Sequence, residues 1–129
     1  MLIEIDFQSE EALYMQLRNQ IVMMIARSLI QEGDPLPSVR QLAGDIGINM
    51  HTVNKAYSVL REEGFVSMDR RRGAVIALSK DHERAREELR DRMRVMLAKS
   101  ICKSIPREEI HTMVDEIYEE LLSVNLPVE

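Results

Sequence analysis

Between Asn49 and Lys55 the chain sets Asn49, Met50, His51, Thr52, Asn54 and Lys55 around one aliphatic residue, Val53. Asn, His and Thr side chains donate and accept hydrogen bonds, and Lys adds positive charge. That mixture suits contact with base edges and phosphate oxygens, because donor and acceptor patterns differ from one base pair to the next. It is also what the solvated face of any short helix carries, so the flanking residues have to decide. Arg40 precedes the group and Arg70, Arg71 and Arg72 follow it. From Pro37 to Ile76 six basic residues stand against four acidic ones, while the whole chain has 17 Lys and Arg against 22 Asp and Glu, a net charge of −5. A uniformly basic coat is excluded, and any contact with a polyanion has to be local to this segment.

Bond-making chemistry finds no comparable cluster. His51, His82 and His111 are scattered, and none stands at a metal-ligand spacing from Cys102 or from another His. There is no glycine-rich phosphate loop and no nucleophile motif. The pairs Glu62-Glu63, Glu108-Glu109 and Glu119-Glu120 are adjacent on helical stretches, so their carboxylates diverge. No catalytic residue, metal site or cofactor is expected, and the nine methionines read as adaptable core. The longest apolar run, Ile21 to Ala26, is six residues, against the roughly 20 that a membrane span needs. Glu4 and Asp6 stand where a signal peptide would be basic, and a single cysteine forms no internal disulfide; the expected setting is the cytoplasm, away from any membrane.

The elements that must position the polar group can be read from spacing. A first helix is predicted after Ser9 as cap, with Tyr14, Leu17, Ile21, Met24, Ile25 and Ser28 on one face and Gly33 as its stop. Asp34-Pro35-Leu36-Pro37 makes a rigid loop. Ser38 and Gln41 then have the spacing of a capping box, Val39, Leu42, Ala43 and Ile46 form an apolar stripe, and Gly47 ends the helix. Asn49 caps a third helix with Val53, Ala56, Tyr57 and Leu60 buried, closed by Gly64. A long helix, then two short ones joined by a tight turn, is the layout of a helix-turn-helix. Phe65–Met68 and Ala74–Leu78 are β-prone and flank a basic tip, so a hairpin completes a winged helix.

Character changes at Ser79. A helix of about 25 residues carries Ala85, Leu89, Met93, Met96, Leu97 and Ile101 on one face. Its other face is charged, with Glu88–Arg92, Glu87–Arg90 and Asp91–Arg94 spaced for surface pairs. A last helix begins at Pro106, with Ile110, Met113, Val114, Ile117 and Leu121 on its apolar side. Two helices make a thin core, so pairing with a second copy is the economical way to cover both stripes.

The residues Leu36-Pro37-Ser38-Val39-Arg40-Gln41-Leu42-Ala43, Gly47-Ile48-Asn49, Thr52-Val53, Ala56-Tyr57, Leu60, Glu63-Gly64-Phe65 and Arg72-Gly73 resemble the DNA-binding domain of GntR-type bacterial transcription regulators. The resemblance covers roughly residues 10–78. It implies a winged helix that binds a palindromic operator as a dimer, a phosphate or base contact from Arg40, base readout from the start of the third helix, and minor-groove insertion of the wing around Arg72 and Gly73. Met50 and Asn54 stand where many members are basic, which removes the guanine-directed arginine expected there. The 51 residues from Ser79 onward are too few for a large effector domain and look like the short dimerisation tail of the YtrA subfamily.

The expectations are therefore definite. The fold is mainly α with one small β-hairpin, of α+β class: a winged helix-turn-helix over 1–78 and a two-helix dimerisation tail over 79–129. The chain is expected to be a homodimeric, sequence-specific regulator of bacterial type, a repressor that occupies an inverted-repeat operator in double-stranded DNA. The DNA-facing set is Ser38 and Arg40 from the second helix, Asn49, Met50, His51, Thr52, Asn54 and Lys55 from the third, and Arg70, Arg71, Arg72 and Gly73 from the wing. The dimer-forming set is the two tail stripes from Leu89 to Leu121. The competing class is a winged-helix module for protein interaction that does not bind DNA specifically. Nothing in the sequence names a small-molecule effector.

Overall fold

A computed structural model describes residues 2–123; residue 1 and residues 124–129, the outer ends of the two expected segments, lie outside the described residues. Five helices and one hairpin follow in the order α1 (Leu13–Ala26), α2 (Val39–Ile46), α3 (Met50–Glu62), β1 (Val66–Asp69), β2 (Gly73–Ile76), α4 (His82–Cys102) and α5 (Arg107–Ser123). They fall into two compact units that divide between Leu78 and Ser79. No described helix is long and apolar enough to cross a membrane.

In the first unit the three helices and the hairpin enclose one core. Leu17 and Ile21 of α1, Leu42 of α2, Val53 and Leu60 of α3 and Ile76 of β2 are its largest fully buried side chains. The predicted stripe of α3 is buried in full, and the caps are as expected: Ser38 Oγ accepts the Gln41 N–H at 3.1 Å, and Asn49 Oδ1 accepts the His51 N–H at 2.7 Å. The capping box is half made, since the Gln41 side chain forms no bond back to Ser38 among the described residues. Gly47 ends α2 in the left-handed region at φ 73°, where a Cβ would be strained.

The first helix is shorter than its sequence pattern. Ser9 caps no helix: its hydroxyl accepts the Glu11 N–H at 3.1 Å and closes a turn ahead of α1. Ala12 takes the cap position without a side-chain bond. At the other end α1 stops at Ala26, not Gly33, because Ser28 enters the left-handed region at φ 60° and the chain turns over it. Gln16, a polar residue only 7% exposed, is fully used. Its amide accepts the Asp6 N–H and donates to the Asp6 and Glu11 carbonyls, which holds the N-terminal segment on α1.

The proline loop is more than a connector. Gly33 N–H donates to the Ile76 carbonyl at 2.8 Å, Ile76 N–H to Asp34 at 2.9 Å, and Leu36 N–H to Ala74 at 2.8 Å, with Pro35 opposite Val75 in antiparallel pairing. Residues 33–36 thus line the free edge of β2, whose other edge pairs with β1 in the register Val66–Ile76 and Asp69–Gly73. Both edges of β2 are satisfied, and three of its four residues are buried.

In the second unit Asp81 caps α4 by accepting the Arg84 N–H at 3.1 Å. Neither α4 nor α5 contains a buried residue. Of the expected surface pairs, Asp91–Arg94 forms at 3.1 Å, whereas Glu88 takes Arg84 at 3.1 Å in place of Arg92, and Glu87 is left without Arg90. Reaching back from Arg84 to Glu88 keeps the same four-residue spacing, so the choice between Arg84 and Arg92 lies outside what the pattern determines.

Candidate nucleic-acid interface

The second and third helices are fixed to one another from beneath. The buried Tyr57 of α3 donates its hydroxyl to the Pro37 carbonyl at 2.8 Å, one residue before the cap of α2. Burial pushes the Tyr57 phenol well above its ordinary pKa, so it stays a donor at every physiological pH. At the far end of α3, Glu63 receives the Arg18 guanidinium of α1, with Nη1 donating at 2.6 and 2.8 Å to the two carboxylate oxygens. That pair is largely covered, and it holds α1 against the C-terminal end of α3.

What remains outside is the polar group picked out in the sequence. Met50, His51, Asn54 and Lys55 are exposed, Thr52 is half-buried, and Asn49 and Ser38 are exposed with their side-chain oxygens occupied as caps. Asn49 therefore keeps its amide NH2 for an outside acceptor and one lone pair of Oδ1 for an outside donor. Arg40 projects from the first turn of α2, exposed and without an internal partner among the described residues.

The wing tip is built by one carboxylate. Asp69 Oδ1 accepts the backbone N–H of Arg71 at 2.8 Å and of Arg72 at 3.0 Å. These two bonds, with a smaller contribution from the Arg72 charge, hold the Asp69 carboxyl below the usual carboxylate range. Gly73 closes the turn at φ 76°. The three arginines, equivalent in sequence, are not equivalent in space. Arg72 Nη1 donates to the Gly33 carbonyl at 2.9 Å, on the segment that edges β2. Arg70 and Arg71 have exposed guanidinium groups and no internal partner among the described residues. The sequence places all three in the DNA-facing wing; the structure adds that Arg72, also exposed, spends one donor on the Gly33 carbonyl, whereas Arg70 and Arg71 have no internal partner among the described residues.

One contact had no counterpart in the sequence reading. Lys55 Nζ sits over the ring of Tyr14, 4.1 Å from its centroid. Tyr14 had been read only as part of the α1 stripe. Aromatic-plus-cation pairing across two helices leaves no periodic signal, so only the fold reveals it.

In the second unit the stripe residues are all at least partly open to solvent. Met96 is 63% exposed, Ile101 76% and Ile117 51%; Ile110 and Leu121 are half-buried. On α4, Leu89, Met93, Leu97 and Ile101 run beside Arg86, Arg90 and Arg94 in an open groove of about 650 Å³. Among the described residues no three His, Cys, Asp or Glu side chains gather in a way that could hold a metal ion.

The profile of the family described as "Bacterial regulatory proteins, gntR family" matches residues 13–76. The chain is 29% identical over 119 residues to the HTH-type transcriptional repressor YtrA of Bacillus subtilis (strain 168), covering 90% of this chain and 92% of that protein. It is similar to the structure of YtrA from Sulfolobus acidocaldarius, a GntR-family transcription factor, at 35% identity and a TM-score of 0.67, covering 79% of this chain and 99% of that one. A transcriptional antiterminator from Listeria monocytogenes EGD-e shares the fold over 100% of this chain and 98% of its own, with a TM-score of 0.87 at 24% identity.

Proposed function

The chain belongs to the gntR family of bacterial regulatory proteins, and from that premise we propose that it is a homodimeric transcriptional repressor that acts in the cytoplasm by occupying an inverted-repeat operator. The observation that carries this reading is the surface of the first unit. An exposed polar turn at the start of α3 shares the first unit with Arg40, Arg70 and Arg71, three exposed cations with no internal partner among the described residues. Unpaired cations keep their full charge for phosphate, and a capped short helix presents donors and acceptors to the major groove. The name of the similar Bacillus subtilis protein supports the sign of regulation.

In this reading residues 1–78 bind DNA and residues 79–129 pair two copies. His51 and Thr52, with Asn49, Met50 and Asn54 around them, read base edges, while Arg40 and Lys55 contact phosphate. The wing enters the minor groove with Arg70 and Arg71, braced by Arg72 and turned by Gly73. Ser38 serves by capping the helix that carries Arg40. Met50 and Asn54 supply no cation, so the operator lacks the guanine contact an arginine would make there.

Selection of bound sequences from a random duplex pool tests the reading directly: an inverted repeat should emerge, and a pool that returns no preferred sequence would overturn it. The same selection with His51→Ala should shift the preferred base at one or two positions, at about 1–3 kcal/mol for a lost base contact. Arg71→Ala should weaken all sequences alike. An unchanged preference in the His51 variant would place another face of α3 in the groove.

Ser38 and Arg40, two residues apart, should separate stability from binding. Ser38→Ala should lower stability by about 1 kcal/mol through the lost cap. Arg40→Ala should melt like the parent and bind DNA more weakly. Thermal melts and duplex titrations of both variants check this, and equal thermal losses would contradict the division.

A further inference from the structure

Every other motif cation on the recognition surface either projects freely or, like Arg72, is tied to a backbone carbonyl. Among the described residues Lys55 alone rests on an aromatic face, its Nζ 4.1 Å from the centre of the Tyr14 ring. Together with Leu13, His51 and Thr52, the two side chains line an open cleft of about 320 Å³ between the start of α1 and the first two turns of α3. No carboxylate lines it. His51 stands one helical turn before Lys55, and Thr52 three residues before it, so the hydroxyl, the imidazole and the ammonium open on the same side.

The chemistry of this cleft suits an oxyanion. A lysine side chain free in water populates many rotamers and loses that freedom when it binds. Held over a ring, whose π face attracts the ammonium, it has already lost much of it. The ammonium has three donors, and those turned away from the ring remain available to phosphate oxygens. The cleft opens beside the first turn of α3, where a phosphodiester strand bordering the groove would pass once that helix lies in it. We propose that the cleft seats one backbone phosphate of the operator, with Lys55 as the contact and Tyr14 as the residue that positions it. The inference rests on the DNA-binding reading above.

The test uses the full chain and the duplex recovered by selection. Lys55→Met should weaken binding about tenfold and flatten the slope of log K against log salt by about 2, for one phosphate in each protomer. Tyr14→Leu should weaken it about threefold to fivefold without changing the preferred sequence. Tyr14→Phe, which keeps the ring, and Lys55→Arg, whose guanidinium also stacks, should each recover most of the loss. The decisive arm is the double variant: with methionine at position 55, removing the Tyr14 ring should cost nothing more. Equal loss in both backgrounds, or parent-like binding by Tyr14→Leu, overturns the positioning role; Lys55→Met, at an exposed position, still tests the phosphate contact if Tyr14→Leu folds poorly. Inorganic phosphate alone should leave the His51 ring resonances in place while the duplex moves them; movement by phosphate alone would make the cleft a small-anion site. Absence of salt-dependent duplex binding by the parent chain would overturn the DNA reading itself.

Discussion

Raising monovalent salt from about 50 to 200 mM should weaken binding to the selected duplex by about a thousandfold. The magnitude follows from counting phosphates. Arg40, Lys55 and one wing arginine in each of two protomers make about six contacts, and each contributes about −0.9 to the slope of log K against log salt, for a total near −5. The partners of each cation within the chain bear on that count. Arg40, Arg70 and Arg71 have no internal partner among the described residues, so no described carboxylate already neutralises them. Arg84 and Arg94 are paired with carboxylates along α4, while the bond from Arg72 to the neutral Gly33 carbonyl leaves its charge in place. The net charge of −5 opposes any diffuse attraction to DNA, so a steep slope has to come from this local patch. Arg40→Gln should flatten it by about 2 for the dimer. A salt titration indistinguishable from flat would remove phosphate contacts from the account.

Local signals carried most of the first unit. Ser38, Gly47 and Asn49 act through bonds or dihedral angles within three residues of themselves, and the apolar positions of α3 need only the helical period. These are the features a linear string displays. The third partner of β2 is different. Residues 33–36 pair through backbone groups with residues more than 35 positions later and include Pro35, which breaks the alternation that marks a strand. Three consecutive arginines offer no means of telling the one that braces the wing from the two that are free, because the difference is a carbonyl on Gly33. Tyr14 escaped for a similar reason: its ring serves the α1 stripe and the Lys55 ammonium at once, and only the first of these has a period. Ser9 misled through its chemistry, since a serine followed by two glutamates fits a helix cap, and the hydroxyl in fact closes a turn before the helix. In each case the missing information was the identity of a partner distant in sequence or a choice between two nearby caps.

Cutting the chain after Leu78 should leave a folded winged helix that is monomeric and binds the paired half-sites about 100- to 10,000-fold more weakly than the full chain. The first unit keeps everything that folds it, since the core from Leu17 to Ile76 lies entirely within residues 2–78. What the cut removes are two helices without a single buried residue, carrying Leu89, Met96, Ile101 and Ile117 each more than half exposed. An apolar surface of that extent is unusual on a soluble monomer, and a second copy of the same stripes is a self-complementary cover for it. Two copies joined there would bring two α3 helices to one duplex, and engagement of the first half-site would make the second contact intramolecular. Half-sites should then lie about one helical turn, roughly 34–36 Å, apart. Replacing Leu97 and Ile101 by Asp should reproduce the truncation in the full-length chain while leaving the melting of the first unit unchanged, because neither residue belongs to its core. Sedimentation at micromolar concentration and titration against single and paired half-sites decide the matter. A truncated chain that sediments as a dimer, or that holds the paired site as tightly as the full chain, would move the dimer contact into residues 1–78.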